Sequence, residues 1–353
     1  MFTANAVAND WATAYSNEIP YLGSAFFAPR KKTGLTVSWL KGTKGLPVAI
    51  NLSSFDAKPT FRDRAGVSRS ETELAFFRES MIVKEKDIQD LMEVQNRDAN
   101  DPFVQDVLNR IFDDAGTLRD GAMVVPEIMA FSLLAPVDGS PIINLTGKDG
   151  ASYTMNYDAN GTWKAKHYTA LTGTNLWSDT ANSKPLSDIR TIKRNALKEN
   201  GTVLSTAIMS QATFDNLLEN AQIKSAILAQ NATANIFMDD NLLAQFLRIK
   251  CGIDIIVYDK MYKGIDGTAH PFMPDGYVTF LPAGGSVGTM WYGMTPEERS
   301  ARQAGNQLAI FNTGITITVS TTKEAPYQTI TTASEILAPS YERMDEVYVA
   351  KVA

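Results

Sequence analysis

Residues 60–135 read TFRDRAGVSRSETELAFFRESMIVKEKDIQDLMEVQNRDANDPFVQDVLNRIFDDAGTLRDGAMVVPEIMAFSLLA. This stretch is strongly charged and strongly patterned, and it contains few side chains with catalytic chemistry. A basic segment is followed by an acidic segment and then by one long amphipathic helix. This arrangement is typical of chains that bind copies of themselves, so we expect an assembly subunit whose function lies in its surfaces.

The long helix has clear start signals and a continuous apolar face. Asn100 or Asp101 can cap it, and Pro102 suits the first helical position. Apolar residues then recur at three- and four-residue spacing, namely Phe103, Val104, Val107, Leu108, Ile111, Phe112, Ala115 and Leu118. The pattern continues to Leu134 and passes Pro126, where we expect a bend or a break. Thirty-odd residues at about 1.5 Å each span roughly 50 Å, which suits the spine of a domain.

Charge is segregated along this region. From Lys31 to Arg78, nine Lys or Arg stand against four Asp or Glu, which gives a net charge of +5. From Glu79 to Asp120, eleven acids stand against five bases, which gives −6. Segments of opposite sign can fold on each other or meet across an interface, where charge complementarity fixes register and partner. The alternative interpretation is two solvated faces of one molecule.

Residues 34–52 have the alternation of a β-hairpin. Leu35, Val37 and Trp39 alternate with small polar residues, residues 48–52 alternate in the same way, and the sequence LKGTKGLP between them carries turn residues. A two-stranded ribbon alone is marginally stable in water, so we expect a partner to complete it. Residues 1–33 form an apolar arm that packs either on its own domain or on a neighbouring subunit.

The chain beyond residue 140 alternates short strands and helices without regular βαβ repeats, so we predict an α+β fold. The predicted strands lie at 142–145, 153–157, 163–169, 202–209, 253–258, 277–281, 315–319, 329–332 and 347–352. The strand at 253–258 is predicted to be buried. The predicted helices lie at 187–198, 211–219, 222–228 and 241–250, and a further helix begins at Thr295-Pro296.

Composition excludes several classes of protein. The 353 residues are 44% hydrophobic, and their net charge of −6 argues against a nucleic-acid-binding domain, which normally carries a basic stripe. The single cysteine, Cys251, excludes an internal disulfide and a multi-cysteine zinc site. The N-terminus lacks the features of a signal peptide, and no apolar run reaches about 18 residues. We therefore expect a cytosolic chain that spans no membrane.

The usual catalytic and metal-binding patterns are absent from the sequence. His167 and His270 lie far apart, and HExxH, CxxC and EF-hand motifs do not occur. Cys251 follows an amphipathic helix and is expected to be a packed thiol. The glycines at 284–288 lack the Lys-Ser/Thr of a phosphate loop and indicate a turn. The sequence thus predicts that the protein has no catalytic residue, no cofactor and no metal, and that it is not an enzyme.

Several segments occur in a specific order. They are YLG…FFAP, the Trp-bearing hairpin, RDRAGVSRSE…ESMIVKEKDIQDL, the long helix, and the block GIDIIVYDKMYKG…PFMPDGYVTFLPAGGSVGTMWYGMTPEE. No single motif is diagnostic, but the ordered set resembles the lambda-type major capsid protein (protein E) family of tailed bacteriophages. The resemblance covers roughly residues 20–352 and is strongest at 252–298.

The resemblance implies the capsid fold named for phage Hong Kong 97. It divides the chain into an N-terminal arm (1–33), an extended loop (34–80), a peripheral domain with a spine helix (81–150), an axial domain (151–314), and C-terminal strands that return to the peripheral domain (315–353). The implied function is a major head protein that self-assembles as pentamers and hexamers into the icosahedral shell of the virion. Assembly would occur in the host cytoplasm, and the shell would enclose double-stranded DNA without sequence-specific binding. The implied partners are a scaffold protein, a portal and, optionally, a decoration protein.

We predict that the basic loop lies over the acidic spine region of a neighbouring subunit. The predicted contact residues are Trp39, Lys41, Lys44, Arg62, Arg64, Arg69 and Arg78 on the basic side, and Asp87, Asp90, Asp98, Asp113 and Asp114 on the acidic side. Some members of the wider fold cross-link subunits through a Lys–Asn isopeptide bond promoted by a glutamate. That asparagine and glutamate find no match here, and the lambda-type branch relies on non-covalent contacts, so no cross-link is expected.

Two alternative functions stay open at this stage. One is an encapsulin-like nanocompartment shell, which has the same fold but holds protein cargo. The other, more remote, is a hydrolase whose dispersed active site carries no recognisable motif.

Overall fold

The computed structural model describes residues 19–41, 68–84, 86, 89, 102–228, 239–304, 309–311, 313–321 and 328–353. The α-helices are α1 (Gly23–Phe26), α2 (Pro102–Leu134), α3 (Thr162–His167), α4 (Pro185–Asn200), α5 (Gln211–Glu219), α6 (Ala221–Leu228), α7 (Asp240–Cys251) and α8 (Pro296–Ala304). Two 3₁₀ turns lie at Gly173–Asn175 and Met344–Glu346.

The strands in the N-terminal half are β1 (Phe27–Lys31), β2 (Thr36–Lys41), β3 (Ser68–Glu73), β4 (Ala75–Val83), β5 (Ile142–Thr146), β6 (Ser152–Asn156) and β7 (Tyr168–Ala170). The later strands are β8 (Leu204–Met209), β9 (Asp254–Val257), β10 (Met261–Lys263), β11 (Ala269–Pro271), β12 (Tyr277–Pro282), β13 (Gly288–Tyr292), β14 (Ala309–Phe311), β15 (Ile315–Thr321), β16 (Thr329–Ser340) and β17 (Tyr348–Lys351).

The chain forms two compact units, each assembled from three separate segments. The first unit comprises residues 1–37, 71–129 and 289–340, and the second comprises residues 38–70, 130–288 and 341–353. Helix α2 contributes its residues up to Met129 to the first unit and its last turn to the second.

The first unit is built on a six-stranded sheet in the order β1-β13-β16-β15-β14, with β4 on the other side of β16. Strand β16 pairs antiparallel with β4, β15 and β13 and is the centre of the sheet. Leu118 and Ala122 of α2 pack on Ile315, Ile317 and Ala333. The part of the predicted apolar face at Leu118 and Ala122 thus covers this sheet.

A close approach of two segments fixes one position of this sheet as glycine. A Cβ atom at Gly314, just before β15, would overlap the ring of Tyr292 at the end of β13. Only a residue without a side chain fits there, so the packing of β13 beside the start of β15 depends on this glycine.

The second unit contains a five-stranded mixed sheet in the order β7-β17-β12-β8-β9. Strand β12 pairs antiparallel with β17 and β8, whereas β8–β9 and β17–β7 are parallel. Helices α4 to α7 pack on it through a large apolar core that includes Leu186, Ile189, Phe214, Leu217, Leu243, Leu247, Val278 and Phe280. Three two-stranded ribbons, β2–β3, β5–β6 and β10–β11, complete the described strands.

The predicted hairpin at 34–52 has a different partner in the structure. Strand β2 forms where the alternation predicted it, but it pairs with β3, which lies beyond the loop. The segment 48–52, which was predicted to pair with it, lies outside the described residues. The pairing therefore places residues 36–41 beside residues 68–73.

Of the bend or break predicted at Pro126, the break does not occur, because α2 is one helix of 33 residues that contains this proline, and the bend stays a prediction. A proline inside a helix removes one hydrogen bond and typically costs about 3 kcal/mol. The following turns bury Met129, Leu133 and Leu134 completely. Their burial offsets the cost, since each large apolar side chain contributes about 1.5–3 kcal/mol.

The strand predicted at 163–169 is also wrong for most of its length, because residues 162–167 form α3 and only Tyr168–Ala170 are extended. Asp158 explains the difference: its carboxylate accepts hydrogen bonds from the N–H groups of Trp163 (3.0 Å) and Lys164 (2.9 Å). An aspartate that binds first-turn N–H groups starts a helix.

The strand predicted as buried at 253–258 is β9, an edge strand whose Asp254 and Val257 are exposed.

Candidate assembly interface

Trp39 is the one predicted contact residue of β2 whose side chain is described. It is only 7% exposed, and its ring packs against that of Tyr157 with 5.7 Å between centroids. The indole thus belongs to the interior of its own chain. A contact between Trp39 and a neighbouring subunit remains a prediction.

Arg78 lies on β4 opposite Ser334 of β16. Its guanidinium forms an ion pair with Glu297 and lies 4.8 Å from the ring centroid of Phe76. The Arg78 side chain remains 45% exposed. It therefore has an acidic partner within its own chain, which the sequence did not predict.

The other predicted contact residues have no described side chain. Lys41 ends β2 and Arg69 lies in β3, while Asp113 and Asp114 lie in α2, and for these four only the main chain is described. The remaining residues lie outside the described part of the chain, and they are Lys44, Arg62, Arg64, Asp87, Asp90 and Asp98. The pairing of basic loop with acidic spine consequently stays a prediction.

The structure shows how the N-terminal arm is fixed to the first unit. Glu127 of α2 is buried, and its carboxylate accepts the main-chain N–H groups of Leu22 (2.9 Å) and Gly23 (2.8 Å). A carboxylate that accepts two N–H groups in a buried place holds the chain firmly, because hydrogen bonds to charged groups are stronger than neutral ones. Sequence reasoning missed Glu127, since it lies on an apolar face and belongs to no motif.

A second anchor joins β1 to the start of α8. Lys31 Nζ contacts both carboxylate oxygens of Glu298, at 2.8 and 2.6 Å, and the Glu298 side chain is 0% exposed. Thr295 caps α8, as its sequence predicted, and its Oγ1 accepts the N–H of Glu298 at 3.2 Å. The preceding acid, Glu297, accepts the hydroxyl of Ser334 at 2.7 Å.

The two acids at the start of α8 therefore hold three strands. Glu298 binds β1 through Lys31, and Glu297 binds β4 through Arg78 and β16 through Ser334. Strand β1 lies in the segment predicted as the arm, and β4 begins in the segment predicted as the extended loop. The first turn of α8 thus joins β1, β4 and β16, and the acids that the sequence assigned only to a helix start have this additional role.

One acid in the interior of the first unit has no such partner. Glu335 on β16 is buried, and among the described residues neither of its carboxyl oxygens has a hydrogen-bond partner. Burial raises the pKa of Glu335 well above its usual range. Burial also raises the pKa of Tyr292, and the charges of Glu335 and Glu127 add to that effect.

The comparisons with known proteins identify this arrangement. The sequence profile of the family described as phage major capsid protein E matches residues 11–315. The chain belongs to this family. The prediction drawn from the ordered segments is thereby confirmed, and the chain is a capsid protein, a structural component of the virion shell. No curated protein shows a significant sequence match to it.

Solved structures of similar fold agree with the predicted capsid architecture. A putative capsid protein of an E. coli CFT073 prophage aligns at 15% identity and a TM-score of 0.60, over 100% of this chain and 99% of its own. A phage-related protein from Bordetella bronchiseptica RB50 aligns at 12% identity and 0.55, over 99% and 97%. The capsid protein of cyanophage A-1(L) aligns at 11% identity and 0.51, over 96% and 94%. The predicted α+β fold of the phage capsid type is confirmed.

One cluster in the capsid protein resembles a hydrolase site in composition but lacks its geometry. His270 Nε2 lies 2.8 Å from Thr268 Oγ1 and 3.1 Å from Asp266 Oδ2. Both groups share one ring nitrogen, whereas a catalytic triad places the carboxylate and the nucleophile on opposite nitrogens. Hydrogen bonds from Thr268 lower the pKa of Asp266 to about 2, and the His270 contact contributes less. The cluster thus closes the β10–β11 turn.

Other reactive groups of the capsid protein are also in structural roles. Cys251 is buried, and burial raises the pKa of its thiol, which is the opposite of what a nucleophile needs. Carbonyls of Gly284 and Ser286 accept hydrogen bonds from Arg343, so this glycine segment is a turn. The described ranges contain neither a group of three metal-ligating side chains nor a helix that could span a membrane.

Proposed function

We propose that this capsid protein forms pentamers and hexamers that close into an icosahedral shell around double-stranded DNA. The observation that carries the proposal is the joint anchoring of arm and loop. Both segments leave the first unit from fixed bases, at Gly23 and Lys31 for the arm and at Arg78 for the loop. Because these contacts hold the first unit together, parts of the arm and loop beyond them could reach a neighbouring copy without weakening the unit.

The basic loop would then lie over the acidic spine region of the neighbouring subunit. Each exposed ion pair contributes only about 0–1 kcal/mol, so one such contact would not hold two subunits together. A closed shell repeats the contact between all copies, and the burial of apolar arm residues adds to it. The interaction is non-covalent, since the sequence matches no cross-linking asparagine or glutamate.

The remaining partners follow from this role. A separate scaffold protein would guide assembly, a portal would occupy one vertex, and a decoration protein would add to the outside. The DNA would be enclosed without sequence-specific contacts, because a net charge of −6 gives little general attraction for phosphates. The protein would carry out no catalysis.

An encapsulin-like compartment is the second candidate, and the match to a phage capsid family favours the phage head over it. A portal, terminase or head-protease gene beside this one would decide for the phage head. A hydrolase is the remote candidate, and turnover by the subunit that a point mutation abolishes would support it.

Electron microscopy with size-exclusion chromatography tests the proposal. The purified chain is examined with and without the neighbouring scaffold gene, and we expect closed shells or pentamers and hexamers. A stable 38.6 kDa monomer under both conditions would contradict the proposal.

Charge reversal tests the loop contact itself. Arg62→Glu combined with Arg64→Glu should block assembly and leave the subunit folded. The matched control reverses Lys224 and Lys250, two exposed cations of the second unit, and should assemble normally. Normal shells from the loop variant would refute the loop contact.

A further inference from the structure

The ion pair between Arg78 and Glu297 differs from the neighbouring pair in exposure. The Glu298 carboxylate is 0% exposed and its partner Lys31 is 31% exposed, whereas the side chains of Arg78 and Glu297 are 45% and 15% exposed. A buried carboxylate that loses its cation is left without solvation, which is strongly unfavourable. The Arg78–Glu297 pair is less buried than the Lys31–Glu298 pair and therefore costs less to separate. Of the two ion pairs, only Arg78–Glu297 is suited to the exchange of one carboxylate partner for another.

Glu297 and Arg78 each have a further contact that would remain if the two separated. Glu297 keeps the hydrogen bond from Ser334 Oγ (2.7 Å) and lies in the first turn of α8, where the helix dipole favours a negative charge. The Arg78 guanidinium lies 4.8 Å from the ring centroid of Phe76, which is itself exposed. This ring supports the cation from one side and leaves its donors accessible to an incoming carboxylate.

We infer that Arg78 is a transferable contact: it binds Glu297 in the free subunit and a carboxylate of a second copy of this chain in the shell. The incoming group would come from the acidic spine region, where Asp113 and Asp114 lie in α2. Lys31–Glu298 would stay closed throughout and keep the base of the arm in place. The inference rests on the proposed assembly into shells, and it adds that the loop base is released from α8 when its partner arrives.

A charge swap separates this inference from a purely internal role. Arg78→Glu combined with Glu297→Arg restores an ion pair within the chain but presents a negative charge to the neighbour. We expect the swapped subunit to fold but to unfold at a somewhat lower temperature than the wild type, because Glu297→Arg places a cation at the helix start and removes the acceptor of Ser334. We also expect its yield of shells to fall about tenfold or more, because like charges opposed at an interface are strongly unfavourable. Swapped subunits that assemble like wild type would overturn the inference.

Milder variants cover the case in which the swap does not fold. Arg78→Lys keeps the charge and should assemble, whereas Arg78→Gln should lose assembly with little change in stability. Equal assembly of the two would contradict the inference. The matched control is Arg299→Glu, which changes an exposed arginine of the same helix and should form shells; a loss equal to that of the swap would also contradict the inference.

The wild-type chain distinguishes the two proposals. Wild-type shells together with shells from the swapped variant would refute the exchange and leave the proposed function intact. A wild-type chain that forms no shells with or without scaffold would refute the proposed function, and the exchange with it.

Discussion

Glu127 Oε2 accepts the main-chain N–H of Gly23 at 2.8 Å, although 104 positions separate these residues in the sequence. The other oxygen accepts the N–H of Leu22 at 2.9 Å. Glu127→Gln keeps the shape but replaces one acceptor oxygen by a donor, so one N–H loses its partner. We expect unfolding in urea to show a loss of about 1–3 kcal/mol, and faster hydrogen exchange at Leu22 or Gly23. Unchanged exchange at both amides would contradict the assigned role.

Lys31 and Arg78 should differ strongly when they are replaced. Lys31→Met leaves the buried Glu298 carboxylate without its cation and should cost about 3 kcal/mol, the low end for a buried pair because Lys31 is partly exposed. Arg78→Met should cost at most about 1 kcal/mol in the free subunit. The comparison is made by denaturant unfolding of both variants. Equal losses would show that exposure does not separate the two pairs.

His167 should make the second unit sensitive to acid. It is buried, stacks on Trp163 with 5.6 Å between centroids, and has an Nδ1 without a partner among the described residues. Burial lowers its pKa from 6.5, and Asp345 and Glu199 only partly oppose this. The unfolded chain thus binds a proton near pH 6.5 that the folded chain does not, so stability present above pH 6.5 is lost as the pH falls below it.

The test is His167→Phe, which keeps an aromatic ring and removes the titration. The melting temperature of unassembled subunits is followed from about pH 8 to about pH 5, the range in which histidine titrates. We expect the wild type to lose more stability than the variant in the acidic half. Parallel curves would exclude His167 as the cause. His270→Phe serves as the control at an exposed position.

Glu335 should reduce stability at neutral pH. Burial raises its pKa, so the folded chain retains a proton above pH 4.5 that the unfolded chain releases. The stability is complete below pH 4.5 and declines as the pH rises through this window. Glu335→Leu should therefore stabilise the subunit by about 1–3 kcal/mol near pH 7, with a smaller gain at pH 4.5.

Unfolding in urea at the two pH values measures this gain. Glu335→Gln, which is neutral at every pH, should lose the same pH dependence while keeping the polar shape. A gain from Glu335→Leu that is equal at both pH values would show that ionisation of the carboxyl group is not responsible.

The elements with strong local signals were predictable from the sequence. The apolar face around Leu118 and the cap at Thr295 occur where expected. Each of these signals depends on residues within a turn or two of the chain. Predictions failed where a local signal was outweighed, as for a break at Pro126, or overlooked, as with the Asp158 cap of α3.

The anchors of the assembly segments could not be predicted, because they join distant parts of the sequence. Lys31 and Glu298 are 267 positions apart, and nothing near either residue indicates the other. Arg78 was predicted to bind acids of a neighbouring subunit, and its partner within the chain, Glu297, was interpreted only as an acid at a helix start. Pairing of this kind is decided by sheet order, which the local pattern does not contain.

The position of the last strands has a consequence for how the protein is made. Strand β16 is the centre of one sheet, and β17 lies between β7 and β12 in the other. The first sheet cannot close until the ribosome has translated past residue 340, and the second cannot close until it has passed residue 351, so a polypeptide that stops before β16 has unpaired strand edges in both units. Open strand edges expose main-chain groups to proteases and to other chains. We therefore expect the order of synthesis to act as proofreading, so that truncated copies are degraded and full-length copies enter the shell.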